Sequence, residues 1–191
     1  MEKWDLYDRH RTKLEKQIMR GDPMELDEFH LVVHVCIFNS KGDMLIQQRQ
    51  PFKHGWPNLW DITCGGSAVA GDTSQQAASR ELFEELGISY DFRTIRPHFT
   101  INFDRGYDDY YLIEHDIDLT KLVLQTEEVK AAKWASKEEI LKLIQQNEFV
   151  PYYESILSFL FEGRHHYGPF GYKKGGLTIN NSMYFSEFKY S

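Results

Sequence analysis

Residues 66–88, GSAVAGDTSQQAASRELFEELGI, restrict the fold of this chain more than any other segment. Thr73, followed three residues later by Gln76, has the form of a capping box, and Gly87 is typical of a left-handed helix end. The segment therefore predicts a glycine-rich loop followed by a helix over about 74–86. At 3.6 residues per turn, one side of this helix is apolar and should face a core. That side carries Ala78, Leu82, Phe83 and Leu86.

The other side of the predicted helix carries three acids, Glu81, Glu84 and Glu85, which we expect outside the core. Like charges four residues apart destabilise a helix by about 0.2 to 0.5 kcal/mol per pair. Arg80 can pair with Glu84, but one guanidinium does not balance three carboxylates. The remaining charge suits Mg²⁺ or Mn²⁺, which take one or two carboxylates together with waters and phosphate oxygens. On the helix alone, a solvated acidic face is the simpler interpretation.

The segments around this helix predict a mixed α/β fold. The pattern of residues 30–39 and 44–49 around Lys41-Gly42 predicts a hairpin, and residues 60–66 predict a strand that leads into the loop. Further strands are predicted over residues 99–103, 110–117 and 129–135, and further helices over about 137–146 and 152–161. The first 29 residues predict an N-terminal arm or hairpin. Strands that alternate with helices in this way are typical of a mixed sheet flanked by helices.

The glycine loop and the spacing of the acids resemble the Nudix box. That pattern is Gly, five residues, Glu, seven residues, Arg-Glu, an aliphatic residue, any residue, Glu-Glu, any residue, Gly and an aliphatic residue. Eight of its nine positions match here, and Asp72 stands where the family has Glu, with its carboxylate drawn back by one methylene. The matched positions are Gly66, Arg80, Glu81, Leu82, Glu84, Glu85, Gly87 and Ile88.

This resemblance implies a Nudix-type α/β/α sandwich over residues 1–162 that hydrolyses a diphosphate linkage in a nucleoside diphosphate-type substrate. It implies that Glu81, Glu84 and Glu85 hold Mg²⁺ or Mn²⁺, that Glu81 is a ligand or a base, and that Arg80 orients the glutamates. Activity with weaker metal affinity and a weakened or specialised enzyme both fit Asp72.

The loop glycines and several residues outside the box complete the predicted site. Gly65 and Gly66 let the loop pass close to the metals, and Arg49 and Lys53, beyond the hairpin, could hold phosphates or simply be solvated. Glu128 is the best candidate for a further carboxylate, with Glu127 next, although adjacent acids before a strand are often a solvated turn. Six aromatic residues offer stacking surfaces for the rest of the substrate, although most aromatics in such a domain belong to the core: Phe52, Trp56, Trp60, Phe103, Tyr152 and Tyr153.

Segments such as HLVVHVCIFNSKGDMLIQQR and HGWPNLWDITCGG look like the Nudix branch that includes isopentenyl-diphosphate isomerase. In that resemblance the isomerase cysteine falls on Gly65 and a metal-binding histidine on Ser67, while His30 matches another metal ligand. Cys64 lies one residue early, which in an extended strand reverses the face. We therefore expect a hydrolase, with an isomerase as the alternative. A non-catalytic Nudix binding module is the other alternative, and the complete acidic cluster disfavours it.

The whole chain limits the compartment and partners. Its net charge of -7 argues against general binding to nucleic acid, and its longest apolar runs are too short to cross a membrane. Two cysteines give no disulfide framework, so we predict a cytoplasmic protein with reduced thiols. Residues 163–191 form a basic, aromatic extension, for which an intramolecular arm and a homodimer contact are both open. Its docking residues would be Phe170, Tyr172, Tyr184, Phe185 and Phe188.

Overall fold

The computed structural model describes residues 2–168, which begin with a two-stranded antiparallel hairpin, β1 (Lys3–Tyr7) and β2 (Lys13–Met19). The predicted N-terminal hairpin is therefore confirmed. It is fixed to the following strand by two backbone hydrogen bonds between Tyr7 and Phe29. The expected docking of aromatic residues 170–188 lies outside the described residues.

A seven-stranded mixed sheet forms the centre of the described chain. Its strands are β3 (His30–Phe38), β4 (Met44–Arg49), β5 (Trp60–Asp61), β6 (Cys64–Ser67), β7 (Phe99–Phe103), β8 (Gly106–Glu114) and β9 (Val129–Ala135).

Strand β3 is the middle of this sheet because it pairs with two distant strands. It runs parallel to β8 along its whole length and antiparallel to β6, where His34 lies opposite Gly65. Its antiparallel pairing with β4 is limited to Phe38 and Met44, after which β4 pairs with β9 instead. The predicted hairpin is thus present at its turn, but its two strands separate because β6 and β8 occupy both edges of β3.

Three helices flank the sheet: α1 (Ser74–Leu86), α2 (Lys137–Gln145) and α3 (Glu154–Gly163). The bounds of α1 agree with the sequence prediction. Thr73 and Gln76 form both hydrogen bonds of the capping box, and Gly87 ends the helix at φ 70°, a conformation that glycine adopts without strain. None of the helices in residues 2–168 is long and apolar enough to cross a membrane.

Two buried cores lie on opposite faces of the sheet, because successive residues of β3 point to opposite sides. Val33, Val35 and Ile37 pack with Leu82 and Leu86 of α1 on one face. The other face carries the second core, which joins the sheet to α2 and α3 through Cys36, Phe38, Met44, Ile140, Leu157 and Leu160. The predicted α/β/α sandwich with a mixed β-sheet is therefore confirmed.

The side chains of α1 differ from the prediction at three positions. Phe83, expected in the core, is 59% exposed. Glu85, expected outside, is only 6% exposed, and Glu81 is also mostly buried. The turn-by-turn periodicity identifies the face that packs on the sheet, but the loop before α1 and the segment before β9 enclose a second side of this helix.

Candidate active site

A cavity of about 420 Å³ lies at the N-terminal hairpin, the glycine loop and the acidic side of α1. Eight of the nine residues predicted for the site line it, although they come from four separate segments of the chain. These are Gly65 and Gly66 from β6, Glu81, Glu84 and Glu85 from α1, Arg49 and Lys53 from β4 and the loop after it, and Glu128 from the segment before β9. Folding thus brings the predicted site residues together.

Arg80, the ninth predicted residue, lies beside the cavity and forms hydrogen bonds to both the glycine loop and the acids of α1. Its guanidinium donates to Glu81 at 2.7 Å and to Glu84 at 3.1 Å, as the i,i+4 spacing of the second pair predicts. It also donates to the Asp72 carboxylate at 3.1 Å and to the Ser67 carbonyl at 3.0 Å. Asp72, the one departure from the box pattern, is therefore a hydrogen-bond acceptor of Arg80 in this structure.

Glu85 is the most deeply buried of the three acids of α1, and within residues 2–168 its carboxylate forms no ion pair. Burial raises its pKa well above the ordinary value, and repulsion from Glu81, Asp61 and Glu128 raises it further. Burial also raises the pKa of Glu81, although Arg80 opposes that shift. Within residues 2–168, the Oε2 atom of Glu85 is buried with no hydrogen-bond partner.

These carboxylates fit a hard divalent cation. A buried carboxylate oxygen without a partner is costly, and a cation would supply both a ligand and the missing positive charge. In residues 2–168, no three acidic, histidine or cysteine side chains already converge as a complete metal site. Water and substrate oxygens would therefore have to provide part of the coordination shell, as is usual for Mg²⁺.

Arg49 and Lys53, the two basic residues predicted for the site, line the cavity together with Arg20. Arg49 donates to the Gly55 carbonyl at 2.9 Å and lies 3.4 Å from the Asp61 carboxylate. Lys53 forms an ion pair with Glu128. Lys53 and Glu128, both predicted for the site, are thus paired with each other, and a further acid, Asp61, lies beside Arg49.

The two glycines of the loop leave space for different side chains. A Cβ atom at Gly66 would collide with the Glu81 carboxylate, which agrees with a loop that passes close to the acids. A Cβ atom at Gly65 would lie 2.6 Å from Nδ1 of His34, so this glycine makes room for a histidine ring. His34 lies on β3, stacked on Tyr110 and with Nε2 3.3 Å from Asp108.

Three further residues, which were not predicted from the sequence, also line the cavity: His34, Asp61 and Asp108. Asp61 accepts a hydrogen bond from the Tyr152 hydroxyl at 2.9 Å, and burial raises its pKa. A polar residue inside an apolar strand was the available signal for His34, which interrupts HLVVHVCIF. Asp61 likewise interrupts an apolar run, Leu59-Trp60-Asp61-Ile62, whereas Asp108 lies next to Asp109 and is identified only by its three-dimensional pairing with His34.

The family model of the NUDIX domain matches residues 28–155, about two thirds of the chain. The chain belongs to the Nudix hydrolase family. Among its relatives, a Nudix hydrolase of Listeria monocytogenes is 50% identical over 153 residues, which cover 80% of this chain and 90% of the relative. An isopentenyl-diphosphate Delta-isomerase of Pectobacterium atrosepticum is 37% identical over 90 residues, 47% of this chain and 48% of the isomerase. The predicted family and branch are thus confirmed.

Solved structures also share the fold of this Nudix protein. The Deinococcus radiodurans protein DR0079 superposes with a TM-score of 0.67 and 24% identity, covering 83% of this chain and 97% of that one. A bifunctional NMN adenylyltransferase/ADP ribose pyrophosphatase of Francisella tularensis, solved with AMP and a manganese ion, superposes with a TM-score of 0.56 and 23% identity, covering 75% of this chain and 44% of that one. At these identities the likeness concerns the fold.

The cysteine and histidines of this Nudix chain differ from the isomerase arrangement. Cys64 is 1% exposed in the core beneath α1, and burial raises its pKa well above the ordinary value, whereas Gly65 lines the cavity. The thiol thus faces away from the site, as the one-residue shift predicts. His30 stacks on Trp4 and lies with Nδ1 2.9 Å from the Arg105 carbonyl, which is a packing role.

The predicted stacking aromatics divide into two groups. Trp56 and Tyr152 line the cavity, and Trp56 is half-exposed with φ 50° in the loop that carries Lys53. The other four do not line it: Phe52, Trp60, Phe103 and Tyr153.

Proposed function

We propose that this protein hydrolyses a diphosphate linkage in a nucleoside diphosphate-type compound with the help of Mg²⁺ or Mn²⁺. Nudix hydrolases act on small diphosphate compounds and generally use divalent metals. The observation that carries the proposal is Glu85, whose Oε2 atom is buried without a hydrogen-bond partner among residues 2–168, in a cavity shared with Glu81, Arg49 and Lys53. Such an arrangement is costly for the protein by itself and useful for holding a cation beside phosphates.

Glu85, Glu84 and Glu81 would hold the metal, which when bound offsets phosphate charge and polarises a phosphoryl oxygen. Glu85 would supply a buried carboxylate ligand, because its side chain lies on an enclosed side of α1. Glu81 and Glu84 would have to exchange part of their contact with Arg80 for a metal contact. Arg80 would then keep both carboxylates oriented, because it is itself held by Asp72 and the Ser67 carbonyl.

Arg49 and Lys53 would bind the phosphates. Phosphate oxygens compete well for a lysine ammonium, so substrate binding would separate Lys53 from Glu128 and leave that carboxylate free to orient a water molecule or bind the metal. Asp61 would hold the Arg49 guanidinium at the wall of the cavity. Gly66 would leave the space that the Glu81 carboxylate needs.

Isomerisation of isopentenyl diphosphate is the alternative, and the orientation of Cys64 disfavours it. That chemistry requires a thiol at the reacting carbon, whereas Cys64 packs beneath α1 and Gly65 occupies the matching cavity position. A binding module without catalysis is disfavoured because a binder has no need of the complete acidic cluster. We also propose a cytoplasmic setting and a small-molecule substrate, with no nucleic acid or membrane partner.

A panel of nucleotide sugars, dinucleotides and nucleoside di- and triphosphates, incubated with Mg²⁺ and followed by mass spectrometry, tests this proposal. We expect at least one compound to be cleaved at its diphosphate linkage by the native protein. Glu84→Gln and Glu85→Gln should each lower that turnover by roughly two or more orders of magnitude while the protein stays folded. Full activity of either variant at saturating Mg²⁺ would remove the metal assignment.

A further inference from the structure

The N-terminal hairpin lies outside the residues that the NUDIX family model matches, yet it contacts the glycine loop of the site. The Ala70 amide donates to the Lys3 carbonyl at 2.8 Å. The next amide, that of Gly71, donates to the Asp5 carboxylate at 2.7 Å. Strand β1 therefore holds two consecutive amides of the loop that joins β6 to α1.

The Asp5 side chain is buried and held by several contacts. Its side chain is 4% exposed, and two residues of β2 hold it: Gln17 donates to Oδ1 at 2.9 Å, and the Lys13 ammonium lies 2.5 Å from Oδ2. The Asp5 carboxylate is therefore held from β2 while it accepts the hydrogen bond of the Gly71 amide. Gly71 has φ 95° with open space around it, so the loop turns here through a conformation that glycine adopts without strain, and the Asp5 carboxylate accepts the amide that this turn presents.

The residue after Gly71 connects this support to the acids. Asp72 accepts the hydrogen bond from Arg80, and Arg80 donates to Glu81 and Glu84. Contacts therefore run without a break from Asp5 through Gly71, Asp72 and Arg80 to the proposed metal ligands. Because Asp72 has one methylene less than the glutamate of the Nudix pattern, its reach to Arg80 depends more strongly on the position of its backbone.

We propose that Asp5 is a positioning residue for the reaction, acting through the Gly71 amide and Asp72 to place Arg80 and the glutamates. This inference rests on the proposed function for its catalytic meaning. It assigns an active-site task to the hairpin, a segment beyond the matched domain. Asp5 itself touches neither metal nor substrate.

Mn²⁺ alone serves as the first probe, with its affinity measured by electron paramagnetic resonance on the full chain. We expect Asp5→Ala to weaken Mn²⁺ binding by about five- to tenfold. This is part of the roughly ten- to hundredfold that a hydrogen bond to a charged acceptor contributes, because Asp5 acts on the metal ligands only through the loop. Asp5→Asn keeps an oxygen acceptor for Gly71 and should recover most of the affinity. Lys13→Met is the matched control, because it removes the half-exposed ion pair of the same carboxylate, while Gln17 still holds Asp5 against the Gly71 amide.

Amide hydrogen exchange provides the second readout and needs neither metal nor substrate. Asp5→Ala should increase exchange at residues 68–72, while β3 and β8 keep their protection. Unchanged exchange in the loop, or a loss of Mn²⁺ affinity in Lys13→Met equal to that in Asp5→Ala, would overturn the inference, because the hairpin would then act only on overall stability. If no compound of the panel is cleaved but Asp5→Ala increases exchange at residues 68–72 and weakens Mn²⁺ binding, the proposed function fails. The support of the loop and the metal ligands by Asp5 is then still upheld.

Discussion

Replacing Glu85 by glutamine should stabilise the metal-free protein although it removes activity. Glu85 is buried, its Oε2 has no partner among residues 2–168, and neighbouring acids repel it. An unsatisfied buried polar group costs about 1 to 3 kcal/mol, and more if it is charged. The neutral amide of Glu85→Gln avoids the repulsion but remains buried, so we expect a gain of about 1 to 2 kcal/mol in the free energy of unfolding.

The assay is thermal unfolding at pH 8 in EDTA. For a chain of this size, 1 kcal/mol moves Tm by about 2 to 4 °C, so Glu85→Gln should raise Tm by roughly 2 to 8 °C. Added Mg²⁺ should then raise the Tm of the native protein more than that of the variant, because the cation binds the folded state through this carboxylate. Glu84→Gln is the control. Glu84 is half-exposed and paired with Arg80, so its replacement should change the free energy of unfolding by less than about 1 kcal/mol.

The difference in stability between the native protein and Glu85→Gln should depend on pH. The pKa of Glu85 is raised in the folded protein, so ionisation favours the unfolded state, and the native protein loses stability as pH rises above the ordinary value of 4.5. The Tm advantage of Glu85→Gln should therefore be small near pH 4 and grow towards pH 8. A variant that is less stable than the native protein at pH 8 in EDTA would refute this reasoning and would make the carboxylate structural.

Three further substitutions test other parts of the structure. Lys53→Met, which breaks the pair with Glu128, should raise KM by about tenfold with the fold intact, and an unchanged KM in steady-state kinetics would remove Lys53 from the phosphate site. Cys64→Ser should keep most of the hydrolytic rate, because the thiol faces the core; a large loss of kcat in a folded variant would contradict this orientation. His98 accepts a hydrogen bond from the Leu112 amide, and burial lowers its pKa to about 4, so the native protein should lose stability as pH falls from about 6.5 to 4. His98→Asn keeps an acceptor and should reduce that loss by about 1 to 2 kcal/mol after solvent screening, as measured by urea unfolding, whereas an identical loss would exclude His98 as its source.

Local signals predicted the helix of the site well. The bounds of α1 follow from Thr73, Gln76 and Gly87, and each of these acts within one turn of the helix end. The same signals could not predict the burial of Glu85, because the residues that cover it come from segments far away in the chain. A helical pattern with one apolar side describes contact with a single layer, and α1 is enclosed on more than one side.

Pairing between distant strands limited the rest of the prediction. The turn between β3 and β4 was predicted from Lys41-Gly42, but the separation of these strands depends on β6 and β8, which compete for the edges of β3. His34 and Asp108 meet only because of the parallel register of β3 with β8. The support of the glycine loop by Asp5 likewise joins residues more than sixty positions apart, with no local pattern to mark it.

Hydrolysis in water enriched in heavy oxygen tests the central claim most directly. With Mg²⁺ and the compound that the protein cleaves, the account predicts one labelled oxygen in a phosphate-containing product, because water attacks phosphorus in a diphosphate linkage. It also predicts no interconversion of isopentenyl and dimethylallyl diphosphate. Interconversion of these two compounds without incorporation of label, and its loss in Cys64→Ser, would contradict the account and show that the thiol reaches the catalytic face.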